Sequence, residues 1–409
     1  MHLTLAAGNS SDPSVAIGLI VVGLFLLAGF AAHMLGRRIH LPRVTLLLLL
    51  GFLVGPSVLG FVPREAEEWF PLAANVALSV IGFQLGERFL GKKLRQTGRT
   101  VLLVSLTEVV FAAACVFVAV MLVGVPLPLA LLLASVAPAS DPASTLDVIR
   151  EAEAKGPVTD TILGVVAIDD AWGVILFSVL VVVAQVVGGG DGSATTVVHG
   201  FVEVGGGLLL GAGLGLPMAL LTGRIRPGEL TLVETLGFVL LCSGLATWWG
   251  LSHILACMAM GAVVSNVARH HKRPFHAIEE VEQPLLIVFF VLAGFHFDIG
   301  QVGAEGGDQL WQFVLLGGGY ILGRAVGLLL GGYGGAALAG APTAVRTHTG
   351  WCLLPQAGVA LGLALLVSQK YPEFGSRVLT IVVATTIIFE ILGPVITRLA
   401  LKHAGEITD

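Results

Sequence analysis

The chain has 409 residues, of which 56% are hydrophobic and only 12% charged, and its mean hydropathy is +0.92. Soluble domains carry roughly a quarter charged residues, so a soluble globular class is excluded, and the net charge of −5 says nothing about partners. All four cysteines (Cys115, Cys242, Cys257 and Cys352) fall in apolar runs, which indicates neither a disulfide framework nor a zinc site.

Apolar runs of about twenty residues, the length needed to cross the bilayer's hydrocarbon as a helix, recur along the whole chain. They predict an all-α polytopic membrane protein with thirteen spans: 15–35, 43–62, 70–86, 100–123, 127–150, 159–187, 197–222, 230–249, 251–268, 283–299, 309–331, 345–368 and 378–401. The segment before the first span, MHLTLAAGNSSDPS, has no basic n-region, so a cleaved signal peptide is not expected. Short cytoplasmic loops collect Lys and Arg. With the N-terminus outside and the C-terminus cytoplasmic, 18 of the 22 basic residues lie inside and three outside (Arg64, Lys370 and Arg377), and Arg324 lies within a span. A wrong parity would scramble that asymmetry. Location in the cell (plasma or inner) membrane follows as the expectation.

The fifth span contains Pro138 and Pro142 in the stretch APASDPAST. Proline removes an amide donor and clashes with the preceding turn, so this helix is expected to break. Ser140 or Asp141 can cap the new half-helix, with Pro142 at its permitted first position. Oxygens around Ser140, Asp141 and Thr145 suit a small hard cation such as sodium or potassium.

The sixth span carries Asp169 and Asp170 in AIDDAWG, ten and eleven residues from Thr159. At ~1.5 Å rise per residue that is the bilayer midplane. Adjacent side chains on a helix diverge by ~100°, so one carboxylate can line a cavity while the other meets a neighbouring helix. A buried carboxylate that only fixes packing is the bland alternative, but midplane carboxylates are functional by default. The loop GGGDGSATT (188–196) reads as flexible linker, and Gly207, Gly211 and Gly215 fit close helix packing in lipid. The stretch RHHKRPFHAIEE (269–280) is better read as a basic cytoplasmic loop than as a histidine metal cluster.

The twelfth span holds Pro355, Gln356 and Gly358 at a depth comparable to the first break. Seven spans separate the two interrupted helices, and because seven is odd they cross in opposite directions, as in an inverted repeat. Such paired breaks point to a midplane binding site, with Ser140, Asp141, Thr145 and Gln356 as its expected lining. The same offset pairs the eleventh span, which carries Arg324, with the fourth. Arginine does not deprotonate, so within the membrane it needs a carboxylate partner, expected to be one of the midplane aspartates; the alternative is a side chain snorkelling to the inner surface. Glu390, in the middle of the thirteenth span, is a possible accessory carboxylate. Glu108, Glu203 and Glu234 lie nearer span ends, where hydrated placement is expected. No nucleophile–base set appears, since His33, His253 and His296 are scattered, so no enzyme activity and no cofactor are expected.

Two of these elements in succession, ASDPASTL and TDTILGVVAIDDAWGVIL, resemble the monovalent cation:proton antiporter superfamily, the sodium/proton exchangers and their Kef-type potassium relatives. The similarity extends to GRRIHLPRVTLLLLLGFLVGPSVLGFV, GLSHILACMAMGAVVSN and IEEVEQPLLIVFFVLAGFHFDIG, and so covers nearly the whole chain. It implies a thirteen-helix antiporter fold with two crossed broken helices, a homodimer, a scaffold part, and a mobile core including roughly 100–187 and 309–401. It further implies elevator-type alternating access, with Asp170 as the carboxylate that carries sodium, potassium or lithium, or else a proton. Asp169 would be its partner, bridged to the basic residue of the eleventh span, with Ser140 and Asp141 lining the site. Electrogenic members with two aspartates usually present a lysine on that helix. Arg324 cannot give up its proton as a lysine can, which keeps electroneutral exchange open. The nucleotide-binding domain of Kef-type systems is not found, so residues 1–409 are expected to form one transmembrane unit without a soluble regulatory part. The rival readings are an ion-coupled symporter of an organic anion on a similar fold, and a channel or sensor without antiport.

Overall fold

A computed structural model describes residues 13–39, 43–55, 58–59, 65–89, 91, 98–188, 194–222, 231–270, 272–295, 307–371 and 373–407. Among the described residues there is no strand, and sixteen α-helices follow one another. They are α1 (Pro13–Ile39), α2 (Arg43–Val54), α3 (Glu65–Glu87), α4 (Arg99–Leu122), α5 (Leu127–Val136), α6 (Pro142–Glu151), α7 (Pro157–Val165) and α8 (Asp169–Gly188). The second half comprises α9 (Ala194–Thr222), α10 (Thr231–Trp248), α11 (His253–Val267), α12 (Lys272–Phe295), α13 (Gly307–Leu338), α14 (Thr343–His348), a 3₁₀ turn at Thr349–Leu353, α15 (Gly358–Lys370) and α16 (Gly375–His403).

Each of the thirteen expected spans is represented by one helix or one broken pair. Six described helices are long and apolar enough to cross a membrane alone. The pair Thr343–Leu353 and Gly358–Lys370, bent by 50°, is long and apolar enough to make a seventh when counted as one span. The fifth span breaks as its prolines require. The sixth does not behave as expected. Residues 166–168 form a turn between α7 and α8, so the two aspartates open a half-helix instead of sitting inside a continuous one. No proline marks this break; the signal was the pair of acidic residues, which favour the first turn of a helix.

Packing falls into two groups. In one, α13 lies along α4, α5 along α8, and α15 along α16; in the other, α11 packs between α9 and α3, and α12 lies on α2. Glycine stripes set both close approaches. A Cβ on Gly323, Gly327, Gly331 or Gly335 of α13 would stand 2.2–2.8 Å from atoms of α4, almost all of them backbone. On α9, a Cβ at Gly211 would stand 1.9 Å from the Ala256 carbonyl oxygen, and one at Gly207 2.9 Å from that of Ser252. Between helices in lipid, where apolar surface gains little by contact, such backbone proximity is what holds them together.

The linker 188–196 lies mostly outside the described residues, as do His271 and His296. His276 in α12 lies 3.2 Å from Glu279.

Candidate functional site

The first break is built from its own residues. Asp141 is the cap of α6, its carboxylate accepting from the Ala143 and Ser144 amides at 3.2 and 3.1 Å, with Pro142 at the first helical position. In the twelfth span, residues 354–357 form the matching unwound stretch. The two stretches cross in contact: the Asp141 amide donates to the Pro355 carbonyl at 2.9 Å, and the Thr145 hydroxyl to that of Cys352 at 3.2 Å. Broken backbone at membrane depth thus finds its partners in the other break.

Arg324 completes this crossing, and in a way that corrects the expected pairing. The helix α13 runs to Leu338, beyond the expected end, and the side chain is fully buried, so it does not snorkel. Its guanidinium makes no ion pair with Asp169 or Asp170. Instead Nε donates to the Ala137 carbonyl at 2.8 Å, Nη1 to Leu354 at 2.6 Å and Nη2 to Ala139 at 3.1 Å, with longer contacts to Leu353 and Pro355. It also lies over the Phe389 ring, 4.5 Å from its centroid. The physical reason is that a break exposes the orphan carbonyls at the end of each first half-helix, the negative end of its dipole. One planar cation with five donors serves both ends at once.

The aspartates meet the crossing from α8. Asp169 is wholly buried; it accepts from the Ser140 hydroxyl, and its Oδ1 accepts from the Asp170 amide at 2.8 Å. Asp170, 6% exposed, lines a cavity of about 520 Å³ together with Ser140, Asp141, Ser144 and Glu390. Asp169 does not line it. The Ser144 hydroxyl lies between two carboxyl groups, donating to Asp141 and standing 3.1 Å from Glu390. Of the expected lining residues, Ser140 and Asp141 border the cavity while Thr145 and Gln356 do not: the former braces the crossing, and the latter donates to the Tyr320 hydroxyl at 3.0 Å. The far wall of the cavity comes from α3, the segment after it, and α12, including Gln84, Arg88, Glu279 and Glu282.

Sequence reading missed Ser144, Tyr320 and this far wall. A serine three residues after a capping aspartate was a usable signal for Ser144; nothing local marks the others. Glu108 corrects another expectation, being fully buried and not hydrated. Glu203 matches better, pairing with Lys370 at 2.6 Å at the rim of a second, smaller cavity of about 280 Å³.

Residues 20–402 match the family described as "Sodium/hydrogen exchanger, transmembrane". The chain is 25% identical over 276 residues to the ammonium/proton antiporter subunit AmhT of Alkalihalophilus pseudofirmus, covering 66% of this chain and 69% of that one. It is 28% identical over 133 residues to the sodium/proton antiporter NhaP of Pseudomonas aeruginosa, covering 32% of this chain and 31% of that one. In architecture it is similar to the sodium proton antiporter MjNhaP1 from Methanocaldococcus jannaschii at pH 8, with a TM-score of 0.76 and 20% identity over 96% of this chain and all of that one.

Proposed function

The chain belongs to the sodium/hydrogen exchanger family, and on that premise we propose that it is a secondary active antiporter exchanging a monovalent cation, sodium or potassium, for protons across the cell membrane. Cation and proton compete for Asp170. The observation that carries this reading is that Asp170 is buried at the opening turn of a half-helix and yet borders a cavity of about 520 Å³, with oxygens of Ser140 and Asp141 beside it.

The chemistry follows from desolvation. A bare carboxylate inside a bilayer is costly, while one that is protonated or loaded with a cation is close to neutral. Only the neutral forms cross the barrier between the two sides, so each crossing carries one cargo or the other. Asp169 holds Ser140 in place and orients the turn. The second cargo contact is assigned to Ser140 and Asp141, whose oxygens border the cavity. Thr145 and Arg324 hold the crossing together, and Glu390 joins the site through Ser144.

The core that moves comprises α4–α8 and α13–α16, and the scaffold comprises α1–α3 and α9–α12. The separate packing of these two groups supports that division. Movement is of the elevator type, and the family resemblance adds a homodimer formed through the scaffold. The distribution of Lys and Arg supports an outer N-terminus and a cytoplasmic C-terminus. With that orientation the cavity at Asp170, rimmed by Arg88 and Glu279, opens to the cytoplasm.

Proteoliposome flux tests the reading against its rivals. Imposed gradients of sodium, potassium or ammonium (the last named for one relative) are expected to drive protons the opposite way. Co-movement of a labelled organic anion would favour the symporter, and cation conductance without proton countermovement a channel.

A further inference from the structure

The cavity at Asp170 has two walls, and only one of them carries the site. Asp170, Asp141 and Glu390 come from α8, the break before α6, and α16; Gln84, Arg88, Glu279 and Glu282 come from α3, the segment after it, and α12. The carboxylates of the second wall that have assigned contacts are engaged locally. Glu282 accepts from Gln84 Nε2 at 2.7 Å, and Glu279 lies 3.2 Å from His276 Nδ1.

Arg88 differs from them. Its backbone amide closes the end of α3 on the Leu85 carbonyl at 3.1 Å, and its side chain is exposed to the cavity. Among the described residues its guanidinium has neither an ion pair nor a hydrogen bond. The next residue fixes where it stands. Phe89 meets Trp172 edge to face, with ring centroids 6.0 Å apart, and Trp172 follows Asp170 by two residues on the same helical turn. Arg324, the basic residue expected to answer the aspartates, is committed to backbone carbonyls.

We infer that Arg88 is the positioning counter-charge of the cation site on this side of the membrane, a guanidinium on the stationary wall that favours release of the cation into the cavity. The inference rests on the antiporter reading above. A fixed positive charge facing the cavity stabilises the bare carboxylate and repels a bound cation, lowering cation affinity there. Because Arg88 does not travel with the site, the effect vanishes when the site faces the other way. Arg324, which does travel with it, would act on both sides alike. Sidedness is therefore the signature.

The test compares wild type, Arg88→Gln and Arg88→Lys in right-side-out and inside-out vesicles, using the cation that wild type transports. The readout is the KM for that cation presented at each face. Arg88→Gln is expected to lower KM at the cytoplasmic face by roughly fivefold, the order of effect of one unit charge acting through water. The opposite face should stay within about twofold of wild type, and Arg88→Lys should restore the wild-type asymmetry. Equal shifts at both faces, no shift, or a rise in KM at the cytoplasmic face would overturn the inference and leave antiport intact. Wild-type vesicles showing no cation-driven proton movement would overturn the antiporter reading and this inference with it.

Discussion

Arg324→Met removes the side chain that, with Thr145, ties the two broken helices together. Three short contacts vanish, at 2.6, 2.8 and 3.1 Å, along with the Phe389 ring contact at 4.5 Å. Hydrogen bonds to a charged group contribute about 1.5–3 kcal/mol each, so the three together give roughly 5–9 kcal/mol. The cation–π contact adds ~1 kcal/mol. Holding a guanidinium away from water costs several kcal/mol in the other direction. The balance is a loss of about 3–5 kcal/mol, read by equilibrium unfolding in mixed micelles with tryptophan fluorescence. A double-mutant cycle with Asp169→Asn then separates two accounts of the arginine. If it serves carbonyls, the two losses add to within about 1 kcal/mol. If it were the aspartate's ion-pair partner, either single change would leave a buried charge uncompensated, and the coupling would exceed ~2 kcal/mol. A coupling of that size, or an Arg324→Met protein as stable as wild type, would refute the reasoning.

Two further outcomes follow from the geometry. Ser140→Ala removes the hydroxyl that Asp169 accepts from and one oxygen beside Asp170. It should raise the KM for the cation by roughly tenfold, the effect of about 1.4 kcal/mol, and cost about 1–3 kcal/mol in unfolding because buried Asp169 loses a donor; an unchanged KM would remove Ser140 from the site. Gly327→Leu drives a side chain into the backbone of α4, where even a Cβ would lie 2.5 Å from the Ala112 Cα and the Phe111 carbonyl oxygen. It should cost at least 1–3 kcal/mol, whereas Gly317→Ala, which meets nothing within 4 Å, should be neutral or mildly stabilising in the same thermal-unfolding assay.

Much of this architecture was legible because membrane helices announce themselves locally. Apolar length located the spans, Pro138, Pro142 and Pro355 located two breaks, and the four-residue glycine spacing of α9 located a close approach. Asp141 as a cap was readable from its place before Pro142. The third break was not read, because the turn at 166–168 carries neither proline nor glycine and its local signal was the acidic pair that follows it. Arg324 was misread for a different reason. Sequence patterns count side-chain charges, whereas its partners are backbone carbonyls that exist only once two distant helices break and cross. Likewise Glu108 lies nearer one end of its span yet faces inward against the glycine stripe of α13, where a Cβ on Gly331 would lie 2.4 Å from its Cα. The far wall of the cavity could not be read at all, since residues of α3 and α12 reach Asp170 only through the tertiary fold.

The central claim is that one carboxylate receives cation and proton in turn, and proton release on cation binding tests it most directly. Purified protein in weakly buffered detergent solution, monitored with a pH indicator, is expected to release protons when sodium or potassium is added, with apparent affinity falling as pH is lowered. The Asp170→Asn protein should release none. Cation binding without proton release, or release that persists undiminished in Asp170→Asn, would contradict the account.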